Sequence, residues 1–122
     1  MEQKTEMMNA FFAERVDACN AREKELEADG RGDEAVFEKI RANVYDIFRT
    51  VLSAAGKACK GDTEAVRRFF GGRLAQIPAD WGTALENAEA HGDTARAQIE
   101  RIKLEAAEDI RAYFRQVWEE EA

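Results

Sequence analysis

Five acidic side chains in the second half of the chain have the spacing of a possible cation site. Glu86 and Glu89 form a Glu-x-x-Glu pair, and Glu105, Glu108 and Asp109 form a second acidic group further along. Residues three apart lie on one face of a helix, and carboxylate oxygens are the ligands that Mg²⁺ prefers. A cation site of this kind needs oxygens that converge from more than one helix.

This spacing resembles the Glu-x-x-Glu then Glu-x-x-Asp pattern of all-helical nucleoside triphosphate pyrophosphohydrolases, in which inward carboxylates hold Mg²⁺ on a polyphosphate. The resemblance covers residues 86–109 and departs from the family pattern at Glu108, where the family has Asp. It implies a Mg²⁺-dependent enzyme as one hypothesis for the chain. On a helical wheel, however, Glu105 and Glu108 lie opposite Ile99 and Ile110, which is the placement of solvent-exposed carboxylates.

The sequence contains few residues that could serve in nucleophilic catalysis. The chain has one serine, Ser53, and one histidine, His91, with no pattern that pairs them. A di-iron carboxylate bundle requires two Glu-x-x-His elements, and a single histidine excludes it. We expect His91 to interact with the last carbonyls of its own helix. The sequence therefore predicts no catalytic, metal-ligating or cofactor-binding residue.

Basic residues concentrate in the middle of an otherwise acidic chain. The formal net charge is -7, yet residues 36–78 hold 8 bases against 4 acids. A local group within this range could bind an anion or nucleic acid, or could pair with the acidic flanks; it comprises Lys57, Lys60, Arg67, Arg68 and Arg73. The absence of interleaved aromatic residues and of a Gly-rich phosphate loop argues against nucleic acid.

Aromatic and methionine side chains lie close to both ends of the sequence. They are Met7, Met8, Phe11 and Phe12 near one end, and Tyr113, Phe114, Val117 and Trp118 near the other. Such groups either cap the end of a bundle or form a self-association surface, where aromatic and Met residues are enriched. The second alternative predicts a homodimer with an isologous interface.

Helical periodicity runs through almost the whole chain. The sequence predicts helices over residues 5–29, 33–58, 62–77, 79–90 and from 94 onward. The predicted N-caps are Asp33, Asp62 and either Asp93 or Thr94, and the predicted stops are Gly30, Gly61 and Gly92. Thr5 is the predicted N-cap of the first helix. Pro78 is expected to end the third helix, leaving a short helix that carries Trp81. Across Gly71 and Gly72 the apolar stripe stays in phase, which favours one helix with a close contact or a kink.

The helix over residues 33–58 has an apolar arc approaching half its circumference, so it needs two or more packing partners. Its arc comprises Val36, Phe37, Ile40, Val44, Tyr45, Ile47, Phe48, Val51, Leu52, Ala54 and Ala55. We therefore predict one all-α domain over residues 1–122. It is a mainly antiparallel bundle of four principal helices plus one short helix, with residues 33–58 as the central and most buried helix.

Cellular location and functional class follow only from coarse features. Cys19 and Cys59 lie outside any Cys-x-x-Cys pair and suit a reducing compartment. No signal-peptide layout or membrane-length apolar run is present, so we expect a cytoplasmic protein without membrane or cofactor partners. The leading functional hypothesis is a non-enzymatic protein that binds a protein partner or itself. The Mg²⁺-dependent enzyme and the anion-binding protein are the alternatives.

Overall fold

Four long helices account for nearly all of the structure. The computed structural model describes the backbone of residues 2–118 and the side chains of residues 3–118. The helices are α1 (Glu2–Ala28), α2 (Gly32–Ala58), α3 (Thr63–Ala90) and α4 (Thr94–Trp118). Short connections make consecutive helices antiparallel neighbours. The predicted all-α bundle of four principal helices is confirmed, whereas the additional short helix is absent from the described residues.

Local capping signals set most of the helix ends. Gly30, Gly61 and Gly92 adopt φ values of 73°, 80° and 69°, as helix stops require. Asp62 accepts hydrogen bonds from the backbone N–H groups of Glu64 (3.1 Å) and Ala65 (3.2 Å) at the start of α3. Asp93 accepts one from the N–H of Arg96 at 3.0 Å. The predicted N-caps of α3 and α4 are therefore confirmed.

Two predicted N-caps were wrong. α1 already includes Thr5, since it begins at Glu2. α2 begins at Gly32, so Asp33 lies inside its first turn rather than at the cap. The reason is a tight connection at Arg31, whose N–H donates to the carbonyl of Leu26 at 2.8 Å and whose carbonyl accepts the first hydrogen bond of α2.

α3 continues through Pro78, contrary to the prediction that the proline would end it. Proline has no N–H, so the carbonyl of Leu74 lacks its usual helical donor. Nη2 of Arg111 in α4 lies 3.4 Å from that carbonyl oxygen and donates to it. Pro78 is itself buried. Packing and a donor from a neighbouring helix thus compensate for the missing hydrogen bond, and Trp81 belongs to the same helix.

The core centres on an aromatic group to which all four helices contribute. The ring of Phe70 in α3 lies 6.3 Å from Phe12, 6.2 Å from Phe48 and 5.5 Å from Phe114, measured between ring centroids. Phe12, Phe48 and Phe70 are completely buried. The two ends of the chain meet where Phe11 stacks on Tyr113 at 4.5 Å. The terminal aromatic residues therefore cover one end of the core, as the bundle-capping alternative predicted.

α2 contacts all three other helices, as its wide apolar arc predicted. The buried face is nevertheless rotated relative to that arc. Ala35 and Ala42, outside the predicted arc, are buried, whereas Val36 and Ile47 at its other edge are 49% and 40% exposed. Small side chains allow close approach of a neighbouring helix, which accounts for burial on the alanine side.

α4 shares the central position with α2. It also contacts the other three helices, and it has eight buried residues against seven in α2. Helical spacing predicts an inward stripe that begins with Ala95, Ile99 and Ile102, yet Ala95 is exposed. Ala97, Glu100 and Ala107, outside that stripe, are buried, because a helix with partners on two sides buries more than one stripe.

Candidate anion-binding groove

The acidic residues that suggested a cation site do not converge. Glu86 lies exposed on α3. The other three glutamates each contact a different arginine side chain. Those contacts are Glu89 to Arg101 at 2.8 Å, Glu105 to Arg41 at 3.6 Å and Glu108 to Arg111 at 3.9 Å. Within residues 3–118, no group of three or more His, Cys, Asp or Glu side chains is placed to hold a metal. The residues present therefore do not fit the Mg²⁺ site that the resemblance implied.

Asp109 has a different partner set, which ties three helices together. Its Oδ2 accepts hydrogen bonds from Nε of Arg15 at 2.9 Å and from the hydroxyl of Tyr45 at 2.6 Å. Burial opposes the charged form, but these two donors lower the pKa of Asp109 overall. Burial and the contact with Asp109 raise the pKa of Tyr45. The cluster is structural, because Asp109 pairs with both Arg15 and Tyr45 and the other ion pair of Arg15 is to Glu14 at 2.6 Å.

The single histidine and the cysteines also have structural roles. Nδ1 of His91 lies 2.7 Å from the carbonyl oxygen of Asn87, as predicted for a residue at a helix end. Burial raises the pKa of the Cys19 thiol to about 11, so almost no reactive thiolate forms at neutral pH. Cys59 is half-buried and free, and Ser53 is exposed.

The basic residues produce the most distinctive surface feature. Arg67 and Arg68 of α3 line a cavity of about 360 Å³ at the contact between α3 and α4. Arg111 and Arg115 of α4 line the same cavity. We call this cavity the arginine cavity. Lys57, Lys60 and Arg73 of the predicted basic group are not among its lining residues; Arg73 instead lies over the ring of Phe69 at 5.4 Å.

Four arginines and no acidic residue are among the described residues that line the arginine cavity. Glu64 pairs with Arg67 and lies 3.8 Å from Arg68, and Glu108 lies 3.9 Å from Arg111. Arg115 is exposed and makes no hydrogen bond or ion pair with another described residue, while Glu119, four residues further along, lies outside the described residues. Glu64 and Glu108 are the carboxylates seen against the other three guanidinium groups within the described range, and Arg67 has a further interaction besides. Arginines gathered without matching acids are typical of phosphate and carboxylate sites.

The glycine pair makes space for the arginine cavity. Gly71 and Gly72 both line it, and a methyl group added at Gly71 would lie 3.3 Å from Cζ of Phe114. At Gly72 an added methyl group would meet nothing within 4 Å, because that position borders open space. The close backbone approach predicted for this pair is thus present at Gly71. The missing side chains leave the floor of the cavity open between the two helices.

Arg111 is held in place by one contact to α3 and one contact within α4. Its Nη2 donates to the Leu74 carbonyl left without a donor by Pro78, and its Nε faces Glu108. A guanidinium fixed by such contacts loses less conformational freedom when it binds a ligand. The sequence held only a weak signal for this arrangement. Arg111 and Arg115 share one face of a helix, but nothing in the sequence placed that face beside Arg67.

None of the helices over residues 2–118 combines the length and apolarity needed to cross a membrane. Comparison of the chain with protein-family models, curated proteins and solved structures found no match.

Proposed function

We propose that this chain is a non-enzymatic helical protein that binds a small anion in the arginine cavity. The observation that carries the proposal is the meeting of four arginines from two helices around one cavity in a chain of net charge -7. Holding like charges together is unfavourable unless a counter-charge compensates them. An anionic ligand would supply that charge, and guanidinium groups match the oxygens of phosphate or carboxylate.

Two features favour a small anion over nucleic acid. The positive surface is confined to one cavity of about 360 Å³, which is the lower part of the size range for small-molecule sites. The rest of the chain is acidic and would repel an extended phosphate backbone. Among the described residues that line the arginine cavity, Phe114 is the one aromatic side chain, and it is buried and offers no stacking surface for bases.

Titration of inorganic phosphate in a low-salt buffer, followed by calorimetry, tests the proposal. We expect saturable binding that weakens as salt is added. Arg115→Ala should weaken it roughly tenfold or more, because a hydrogen bond to a charged group contributes about 1.5 to 3 kcal/mol. Arg115 is exposed and without a described partner, so the substitution should leave the fold intact.

Arg73→Ala is the matched control for that experiment. Arg73 is exposed on α3, close in sequence to Gly72, but does not line the arginine cavity. It should therefore leave phosphate binding unchanged apart from a small long-range charge effect. Absence of saturable binding, or equal weakening by Arg73→Ala and Arg115→Ala, would contradict the proposal.

A second candidate function, self-association, is favoured by the exposed edge of α2. Val36 and Ile47 lie eleven residues apart, a spacing that returns almost to the same face of a helix. They are the large apolar side chains most exposed among the described residues, and a second copy that packs along this edge of α2 would cover both. Light scattering coupled to gel filtration should then detect a homodimer at micromolar concentration, and Ile47→Glu should dissociate it. A monomer at all concentrations up to about 100 μM would exclude this function at concentrations relevant to most specific dimers.

A further inference from the structure

The arginine cavity does not end at Arg111. A second cavity of about 290 Å³ continues along the same contact between α3 and α4, and Ala75 and Arg111 line both. We call the second one the apolar cavity. Its other lining residues are Pro78, Ala79, Leu104, Ala107 and Glu108. Because they share two lining residues, the two cavities adjoin, and we treat them as one groove with four arginines at one end and mostly apolar side chains at the other.

We infer that the ligand of this groove is an amphiphilic anion, with one anionic head in the arginine cavity and a short hydrocarbon chain along the apolar cavity. This inference rests on the proposed function and specifies the chemical class of its ligand. An alkyl phosphate and a fatty acid share this chemistry, and the experiment below distinguishes them.

The distribution of charged side chains favours binding of the anionic head in the arginine cavity and not in the apolar cavity. The arginine cavity has Arg115, which is without a partner among the described residues, whereas the apolar cavity has one acid and one base, Glu108 and Arg111, at 3.9 Å from each other. A second anionic group in the apolar cavity would meet the carboxylate of Glu108 without a spare cation. A ligand with two separated anionic groups therefore fits worse than one with a single head.

Side-chain type and burial suit a hydrocarbon chain at the other end. Pro78 and Ala107 are buried and form a floor without polar side-chain atoms, while Leu104 is half-buried and Ala79 is exposed. A hydrocarbon chain lying there would cover the apolar surface that Leu104 and Ala79 leave open to water. Full burial of a methylene group strengthens binding roughly fourfold, and an open groove should realise part of this gain.

Arg111 marks the boundary between the two ends. Its contacts with the Leu74 carbonyl and Glu108 hold it where both cavities meet. A head bound by Arg67, Arg68 and Arg115 would have Arg111 at its inner side. The hydrocarbon chain of the ligand would then run from the arginine cavity into the apolar cavity past Ala75, which lines both and has only a methyl side chain.

Calorimetric titration of the full chain with inorganic phosphate, hexyl phosphate, acetate, hexanoate and hexanol tests this inference. We expect hexyl phosphate to bind at least roughly tenfold tighter than phosphate, or hexanoate to bind tighter than acetate by the same factor. If the gain in affinity appears between phosphate and hexyl phosphate, the head is a phosphate; if it appears between acetate and hexanoate, the head is a carboxylate. Hexanol alone should bind weakly, because it lacks the charge that the arginines require.

Two substitutions of surface alanines test whether the hydrocarbon part of the ligand and its anionic head bind at different places. Ala79→Gln would narrow the apolar cavity and should remove the gain from the hexyl chain, while inorganic phosphate binds as before. Ala112→Gln is the control, because Ala112 is exposed on α4 and lines neither cavity. Both positions are exposed and helical, so both variants should fold.

The outcomes distinguish this inference from the proposed function. If phosphate binds but neither hexyl compound gains affinity, the inference is overturned and the proposed function stands. If no anion binds, both are overturned. Hexanol binding as tightly as the hexyl anions, or equal effects of Ala79→Gln and Ala112→Gln, would also overturn the inference.

Discussion

Replacing Phe48 with alanine is expected to lower the free energy of unfolding by about 3 to 5 kcal/mol. The side chain of Phe48 is completely buried, and its ring lies 6.2 Å from Phe70 and 6.4 Å from Trp81 in edge-to-face arrangements. Removing it leaves a cavity at the contact of α2 with α3 and removes two favourable ring contacts. Urea unfolding monitored by circular dichroism measures the loss.

The neighbouring residue provides the control for this prediction. Arg49 is half-buried, and its Nη1 lies 3.6 Å from Asp46 in an exposed pair of the kind that contributes little. Arg49→Ala should therefore change the free energy of unfolding by no more than about 0.5 kcal/mol. Comparable losses for the two variants would mean that α2 does not bury the face described above.

Asp109→Ala is expected to cost about 1.5 to 3 kcal/mol, the range for hydrogen bonds to a charged group. The substitution leaves the Tyr45 hydroxyl and the Arg15 guanidinium without their shared acceptor. It also removes the only described polar tie that joins α1, α2 and α4 at one carboxylate. Asp46→Ala is the matched control, because Asp46 is an exposed carboxylate in an i,i+3 pair.

The contribution of Asp109 should depend on pH in one direction. Its pKa in the folded protein is lower than in the unfolded chain, where an aspartate has a pKa of about 3.9. The unfolded state therefore takes up the proton first as the pH falls. The stabilisation is complete above the unfolded-state pKa and is lost as the pH falls through the folded-state value.

Urea unfolding of the natural chain and of Asp109→Asn at pH 7, 5, 4 and 3 measures this dependence. Asparagine cannot titrate, so the difference between the two proteins should remain constant from pH 7 to 5 and shrink below about pH 4. A difference that stays constant down to pH 3, or grows there, would contradict the assignment of a lowered pKa to Asp109.

Much of the bundle could be predicted because its signals are local. Asp62 caps the helix that starts beside it, and Gly61 takes the positive φ that ends the helix before it. Both effects depend on a few adjacent backbone groups, so they can be predicted from the local sequence. The apolar spacing around Phe48 is local in the same sense, since helix geometry alone aligns residues three and four apart.

Pro78 illustrates where local reasoning failed. The preference of the preceding residue for extended backbone, together with the missing N–H, predicts a helix end. The actual helix continues because Arg111, 33 residues further along the chain, donates to the Leu74 carbonyl and because Pro78 is buried. The same kind of distant packing rotated the buried face of α2 toward Ala35 and left Val36 exposed.

Helix content, most helix ends and the unequal distribution of charge were thus decided by the order of residues along the chain. The groove was decided only when α3 packed against α4. Arg67 and Arg68 were visible as basic residues, but Arg111 and Arg115, which line the same cavity, lie more than 40 residues further along the chain. Helix periodicity says which residues share a face of one helix. Which face of which helix lies opposite is set by side-chain packing across the whole core, and no local pattern records it.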